Sequence, residues 1–327
     1  MMTMTVSQAI SKYLDNISMA RSQNTARSYG NALRLFKMLL NKRDLATEIK
    51  MVRDLPVDAI AWFAMDLKKY APATESLYLT AVAGFYEYLA AENLADPNLP
   101  KLRMLIRQRS RRYGPRLPQF PRSQIEDVLN YAATLSTLPY KNEAEGLRNL
   151  RDRAFLLTLA DTGLRVHEAC DLRRGDIDWN EGKAVIIGKG DRQDVVRFSN
   201  RCMKAIRDYL RGRAKIDGAS GRPLSSLPVF SRHDRGAGKI VKPITTATGR
   251  NIVSQRVKEV LGSQSVGKIT PHSFRHYFVT TVLHGSGGKL KLAQELARHR
   301  NIAVTQRYAH LSDDELDRGY WEIFEER

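Results

Sequence analysis

A basic segment that ends in helix-breaking residues divides the chain, and it limits the possible folds more than any other feature. Residues 101–116, KLRMLIRQRSRRYGPR, contain seven basic residues and no acidic one. Glycine 114 and the prolines at 115, 118 and 121 close the run, and these residue types interrupt helices. We therefore predict a helical domain over residues 1–105, a basic linker over 106–119 and a second domain over 120–327.

The spacing of apolar residues predicts helices on both sides of this linker. Two helix faces stand out in the first domain, one formed by Tyr29, Leu33, Phe36 and Leu40 and the other by Leu77, Ala81, Phe85, Tyr88 and Leu89. They predict a bundle of four or five helices. After the linker, Ser123 and Glu126 have the spacing of a capping box, which predicts a helix start there.

The pattern changes from a helical to a strand period in the middle of the second domain. Residues 183–187 and 194–198 are rich in β-branched side chains and flank the turn residues 188–191. This arrangement predicts a β-hairpin. The expected fold class is therefore mainly α with a small antiparallel β-hairpin or sheet in the second domain, an α+β arrangement.

The charge of the chain indicates its partner. Lys and Arg number 53 against 35 Asp and Glu, a formal net charge of +18, and such an excess favours binding to nucleic acid phosphates. An anionic membrane surface and simple solubility are the alternatives, but no basic amphipathic helix and no membrane-length apolar stretch occurs. Cys170 and Cys202 are too few for a disulfide framework. We expect a cytoplasmic, nucleoid-associated protein that binds double-stranded DNA and has no membrane segment, metal or cofactor.

Residues suited to phosphate chemistry lie where turns and helix starts are predicted. Arg165 follows a glycine turn, Lys189 is at the hairpin tip, and His272 and Arg275 open a helix after a proline. His299 precedes Tyr308 by nine positions. Each has an ordinary alternative, such as a surface ion pair between Arg165 and Glu168 or a metal-binding pair formed by His272 and His276.

In this order, the motifs resemble the tyrosine recombinase (phage integrase) family in its two-domain, Xer-like form. The resemblance rests on Thr162-Gly-Leu-Arg-Val-His-Glu168, Ile187-Gly-Lys-Gly190, His272-x-x-Arg275-His276 and His299-x8-Tyr308. The amino-terminal part is similar to the core-binding domain of that family. One departure is Arg298, which precedes His299 where the family usually has glycine.

The resemblance implies a catalytic set of Arg165, Lys189, His272, Arg275, His299 and Tyr308. It implies that Tyr308 attacks the phosphodiester to form a 3′-phosphotyrosyl intermediate without metal or ATP. The arginines would hold the charged phosphate, Lys189 would protonate the leaving oxygen, and the histidines would bind phosphate or move protons. A type IB topoisomerase and an inactive DNA-binding regulator are the alternatives.

The resemblance also implies an assembly, a tetramer acting on two DNA sites. The acidic segment 311–327 has a helix pattern from residue 313, and in the resembled family such a helix is commonly lent to a neighbouring protomer. We expect it to dock in trans, and the alternative is that it folds back onto its own catalytic domain. The expected DNA contacts are Arg103, Arg107, Arg109, Arg111, Arg112 and Arg116 in the basic run, with Thr25 and Arg27 in the first domain.

Overall fold

A computed structural model describes residues 4–111, 121–188, 192–234 and 240–306. The chain forms two compact units, Met1–Arg116 and Leu117–Arg327. Within the described residues, no helix is long and apolar enough to cross a bilayer. Each unit has a hydrophobic core of its own.

The first unit is helical, as its apolar spacing predicted. Its α-helices are α1 (Val6–Ala20), α2 (Gln23–Lys42), α3 (Ala59–Asp66), α4 (Pro72–Ala91) and α5 (Leu99–Arg109). Capping explains their starts: Thr5 forms a capping box with Gln8 at α1, and the Ser22 hydroxyl accepts from the Thr25 amide at α2. Proline in the first turn begins α4.

The predicted core faces of this unit are largely correct. Leu33, Phe36 and Leu40 of α2 are completely buried. On α4, Leu77 is 40% exposed, so its assignment to the buried face was wrong. Apolar residues surround much of α4, and the helix buries Leu79 instead. A helix that is apolar on several sides does not identify its inward face by spacing alone.

The second unit is mainly helical with one small sheet, which confirms the predicted fold class. Its helices are α6 (Arg122–Thr134), α7 (Glu143–Thr162), α8 (Val166–Asp171), α9 (Asn200–Gly212), α10 (Ala214–Gly218), α11 (Thr246–Leu261), α12 (Pro271–Gly285), α13 (Leu290–Ala297) and α14 (Ile302–Gln306). Its strands are β1 (Ile177–Asp178), β2 (Lys183–Gly188) and β3 (Arg192–Arg197).

The sheet has the order β1-β2-β3 and is antiparallel throughout. Ala184 is paired with Val196, and both face the core together with Ile186. The alternating burial along β2 matches the two-residue period of a half-buried strand. The predicted hairpin is therefore present, and its tip, residues 189–191, lies outside the described residues.

Two local predictions near the linker were wrong in detail. Helix α5 continues to Arg109, so the first residues assigned to the linker form its last turn. Helix α6 begins at Arg122 with Pro121 at the cap, so Ser123 lies inside the first turn and forms no capping box. The Glu126 carboxylate instead accepts from Arg122 Nε at 2.9 Å, an ion pair one turn along the helix.

Candidate active site

The carboxyl end of α7 turns sharply and presents a loop to the site. Gly163 ends the helix in the left-handed conformation, with φ 61°. A Cβ atom at this position would lie 2.4 Å from Cδ1 of Phe278, so the close approach of α12 requires glycine here. The Thr162 hydroxyl accepts from the Leu164 amide at 3.1 Å and stabilises the turn.

Arg165 follows this turn at the amino end of α8 and is joined to Glu168. Arg165 Nη1 donates to Glu168 Oε1 and the Arg165 amide donates to Glu168 Oε2, each at 2.8 Å. The two side chains differ in exposure, because Arg165 is 43% exposed whereas Glu168 is only 2% exposed. The expected ion pair therefore exists, and its buried carboxylate orients a guanidinium that solvent can reach.

Arg275 lies on α12 and is almost completely buried. Pro271 in the first turn and the cap formed by Thr270 and Ser273 fix the start of this helix. Arg275 donates through Nη1 to the Gly163 carbonyl and through Nη2 to the Ala297 carbonyl. The guanidinium thus connects the turn after α7 to the end of α13.

His272 and His276 are one turn apart on α12, with their rings in an edge-to-face contact at 4.3 Å between centroids. Burial, and then the positive charges of Arg275 and Arg165, lower the pKa of His272. Burial and the neighbouring His272 and Arg275 lower the pKa of His276 to about 4. Both imidazoles are therefore neutral at neutral pH. Across the described ranges, no group of three or more His, Cys, Asp or Glu residues is arranged to hold a metal ion.

His299 follows α13, and its ring contacts α14. Its Nδ1 lies 2.9 Å from the Thr305 hydroxyl, and its amide donates to the Gln294 carbonyl at 3.0 Å. Burial lowers the pKa of His299 to about 4, and the charges of Arg275 and Arg165 act in the same direction. These electrostatic effects arise because the predicted residues Arg165, His272, Arg275 and His299 lie in one cluster. Lys189 and Tyr308 lie outside the described residues.

Comparison with known proteins identifies the family. The model of the phage integrase family matches residues 121–315. The chain belongs to this family. Its members are tyrosine recombinases, which confirms the resemblance inferred from the motifs.

Similar proteins cover both units of this tyrosine recombinase. The XerC tyrosine recombinase of Pediococcus pentosaceus is 28% identical over 303 residues, 93% of this chain and 92% of the relative. The XerC tyrosine recombinase of Staphylococcus carnosus is 28% identical over 309 residues, 94% of this chain and 93% of the relative.

Solved structures show the same fold. The Tn1549 transposon integrase in complex with transposon right end DNA has a TM-score of 0.67 at 18% identity, over 98% of this chain and 99% of that one. The XerH site-specific recombinase bound to a palindromic difH substrate has a TM-score of 0.67 at 20% identity, over 97% of this chain and 84% of that one.

One residue of this recombinase's cluster was not predicted as part of the site. Arg298 ends α13 in the left-handed conformation, with φ 56°, and its side chain is only 4% exposed. Its Nη2 donates to Glu168 Oε2 at 2.9 Å and lies 3.5 Å from the Gly163 carbonyl oxygen. The sequence indicated an unusual residue before His299, but the direction of its side chain depends on packing against α8.

Glu168 is therefore shared by two guanidiniums. Burial opposes its ionisation, but the charge of Arg298, the Arg165 amide and the Arg165 guanidinium outweigh burial and hold the pKa of Glu168 below its ordinary value. The carboxylate is charged at neutral pH and lies between the two arginines.

The residues expected to contact DNA in the first unit occupy different environments. Arg103, Arg107 and Arg109 are exposed on α5, although Arg103 forms an exposed ion pair with Glu87. On α2, Arg27 is exposed and Thr25 is half-buried. Arg112 and Arg116 lie outside the described residues.

Arg111 differs from Arg103 because its partner in the first unit, Glu75, is a buried carboxylate. Its Nε donates to Glu75 Oε2 at 2.5 Å, its amide donates to Glu75 Oε1 at 2.9 Å, and its Nη2 donates to the Tyr70 carbonyl at 2.6 Å. Glu75 is buried and also accepts from Lys68 at 3.0 Å. These contacts fix the position of the chain directly after α5, so Arg111 has a structural role in addition to its predicted contact with phosphate.

Proposed function

We propose that this chain is a site-specific DNA recombinase that cuts and rejoins duplex DNA through a 3′-phosphotyrosyl intermediate on Tyr308. The observation that carries the proposal is the clustering of Arg165, Arg275, His272 and His299, four residues that the family motifs select, around the turn after α7. The related XerH and Tn1549 integrase structures contain DNA.

The chemistry requires a protein nucleophile, because the energy of the broken phosphodiester must be kept for rejoining. The Tyr308 oxygen forms a bond to phosphorus, the bond from phosphorus to the 5′ oxygen breaks, and Lys189 supplies the proton to that oxygen. The tyrosine proton passes to His272. Arg165 and Arg275 stabilise the additional negative charge on the nonbridging oxygens.

The neutral state of the histidines suits these roles. A neutral imidazole at position 272 can accept the tyrosine proton, whereas a protonated one cannot. His299 Nδ1 lies 2.9 Å from the Thr305 hydroxyl, and in the tautomer whose Nδ1 accepts from that hydroxyl, Nε2 carries the hydrogen and can donate it to a nonbridging oxygen. The names of the relatives favour this recombinase mechanism over the topoisomerase and regulator alternatives.

The experiment is a suicide-substrate assay. DNA retained covalently by the wild-type protein is sequenced to obtain its site, and a nicked duplex carrying that site is then incubated with the protein. We expect a covalent adduct that survives denaturing electrophoresis and is absent from Tyr308→Phe. An adduct that persists in Tyr308→Phe contradicts the assignment of the nucleophile. Exchange of strands between two labelled duplexes, in place of relaxation of one supercoiled circle, separates a recombinase from a topoisomerase.

The assembly is a further part of the proposal. Recombination of two duplexes requires four protomers, and the proposed contact between them is the segment 313–327, which lies outside the described residues. Deleting it should preserve binding to a single site and weaken the cooperative binding of a second protomer. If the truncated protein forms synaptic complexes as well as the full chain, this contact is wrong. Action on chromosomal DNA would place the protein at the nucleoid.

A further inference from the structure

Arg298 has two features that disfavour its presence in a protein interior. A residue with a Cβ atom rarely adopts the left-handed conformation that Arg298 has at φ 56°. Its side chain is only 4% exposed, and its Nε and Nη1 atoms have no hydrogen-bond partner within the described part of the chain. Unpaired buried donors are costly. Glycine at this position would avoid both costs.

The charge balance around Glu168 indicates what the arginine provides. With glycine at position 298, the Glu168 carboxylate would face Arg165 alone, and the pair would be neutral. With Arg298, the same carboxylate binds two guanidiniums, at 2.8 Å and 2.9 Å, and the group of three carries a net positive charge. Burial lowers the pKa of Arg298 and Glu168 opposes that effect, but an arginine stays protonated in proteins.

The surroundings of Arg298 place this charge in the phosphate site. Its Nη2 lies 3.5 Å from the Gly163 carbonyl oxygen, which also accepts from Arg275. The next residue along the chain is His299. Asp194 lies on β3, the second strand of the hairpin, and is close enough to favour the protonated state of Arg298. Arg298 therefore contacts or adjoins the parts of the chain that carry Arg165, Arg275 and His299.

We propose that Arg298 is a positioning residue of the strand-cleavage site, which binds Glu168, keeps the charge of Arg165 available to the scissile phosphate, and adds a second buried guanidinium, besides that of Arg275, that stabilises the transition state. The inference rests on the proposed function. A phosphodiester gains negative charge as the nucleophile attacks, so a fixed positive charge in a dry site stabilises the transition state more than the ground state. Arg298 acts through Glu168 and through its field, since its free donors are buried.

The test compares two substrates in single-turnover cleavage by the full chain. One contains the ordinary phosphodiester, and the other contains a methylphosphonate, in which a methyl group replaces one nonbridging oxygen and removes the formal charge. Arg298→Met should lower the cleavage rate of the phosphodiester about tenfold to a hundredfold, which is less than the about 10²–10³-fold for losing a direct oxyanion donor, because Arg298 acts through Glu168 and its field. On the methylphosphonate, the deficit should shrink at least several-fold. Arg298→Lys, which keeps the charge, should recover most of the phosphodiester rate.

Arg153→Met is the matched control. Arg153 is also largely buried, pairs with Asp208 at 3.1 Å and has an unpartnered Nε within the described residues. Its charge is not among those that depress the pKa of His272 or His299. Arg153→Met should change the cleavage rates of the phosphodiester and the methylphosphonate by the same factor.

The outcomes separate failure of the proposed role of Arg298 from failure of the proposed function. Equal deficits of Arg298→Met on both substrates, or no deficit in a folded variant, would overturn the proposal. If Arg298→Met does not fold, Arg298→Gly carries the test, because glycine adopts the left-handed conformation without strain. If the wild-type protein itself forms no adduct with DNA, the proposed function fails; if it cleaves normally and the substrate ratio is unchanged, only the role of Arg298 fails.

Discussion

Replacing Glu168 by glutamine tests the arrangement of the site most directly through protein stability. The side chain keeps its size but loses its charge, and its NH₂ group would face the donors of Arg165 or Arg298. Arg165 is 43% exposed, and such a pair contributes about 0–1 kcal/mol. Arg298 is 4% exposed, and removing the partner of a buried charge costs about 3–5 kcal/mol. We therefore expect Glu168→Gln to lower the free energy of unfolding by about 3–5 kcal/mol, mostly through Arg298.

A double-mutant cycle assigns this loss to its cause. Urea unfolding at pH 7 is measured for the wild type, Glu168→Gln, Arg298→Met and the double variant. Without the buried guanidinium, the glutamine substitution has only the exposed Arg165 to affect, so its cost should fall to about 1 kcal/mol. An equal cost in both backgrounds, or a cost below about 1 kcal/mol in the wild type, would refute the reasoning about Arg298.

The difference in the free energy of unfolding between the wild type and Glu168→Gln should depend on pH. The pKa of Glu168 is lower in the folded protein than its ordinary value of 4.5. Its contribution is therefore complete above the unfolded-state pKa and is lost as the pH falls through the folded-state pKa. The difference in stability between the wild type and Glu168→Gln should shrink in acid below that ordinary value. A difference that stays constant into acid would show that Glu168 is not ionised in the folded protein.

Three further predictions concern separate parts of the molecule. Lys189→Ala should slow cleavage by about 10²–10⁴-fold, and a 5′-bridging sulfur, whose leaving group needs no proton, should restore the rate; no recovery would contradict a general acid. Gly163→Ala should destabilise the protein by about 1–3 kcal/mol in urea unfolding, because the φ of 61° and the contact with Phe278 both oppose a Cβ atom; an unchanged midpoint would contradict the turn geometry. Burial lowers the pKa of His233 to about 3, from an ordinary value of 6.5. The free energy of unfolding should therefore fall as the pH drops below 6.5, and His233→Gln should reduce this pH dependence in urea unfolding between pH 7 and 4. An unchanged pH dependence in His233→Gln would contradict the prediction.

The pH prediction for His233 follows from its hydrogen bonds. The Tyr209 hydroxyl accepts from Arg213 Nη1 and from the Ser231 amide, each at 3.1 Å, so its own hydrogen is directed to His233 Nε2 at 2.7 Å. That nitrogen must then be an acceptor, which requires a neutral imidazole. Arg151, Arg213 and Arg148 oppose a positive charge there. Protonation would break the bond and add a cation to this group.

Much of the fold and of the site could be predicted because local signals were strong. The β-branched residues of 183–187 and 194–198 around a turn identified the hairpin, and the spacing of Leu33, Phe36 and Leu40 identified the buried face of α2. Arg165 lies after a glycine turn, and His272 and Arg275 lie in the first turns of α12, where the chain changes direction. Their motifs occur in the same order as in the family, which allowed them to be selected before any distance was available.

The contacts that could not be predicted are those between distant parts of the chain. Glu168 and Arg298 are separated by 130 positions, and Glu75 and Arg111 by 36. No periodicity or capping rule relates such residues, because their meeting depends on how whole helices pack. The same reason explains Leu77 on α4, where several apolar faces compete for the core and tertiary packing selects one.

If the proposed site binds a DNA phosphate, its electrostatic arrangement links the pKa of His299 to the presence of DNA. Burial lowers the pKa of His299 to about 4, and the charges of Arg275 and Arg165 contribute to this shift. A phosphodiester held by those arginines adds a negative charge that offsets theirs, so the pKa of His299 rises when the substrate binds, although burial continues to lower it. By linkage, an imidazole whose pKa rises on binding takes up protons as DNA binds. In the proposed site, the arginines keep their charge at every pH, whereas the pKa of His299 depends on whether a phosphate offsets that charge.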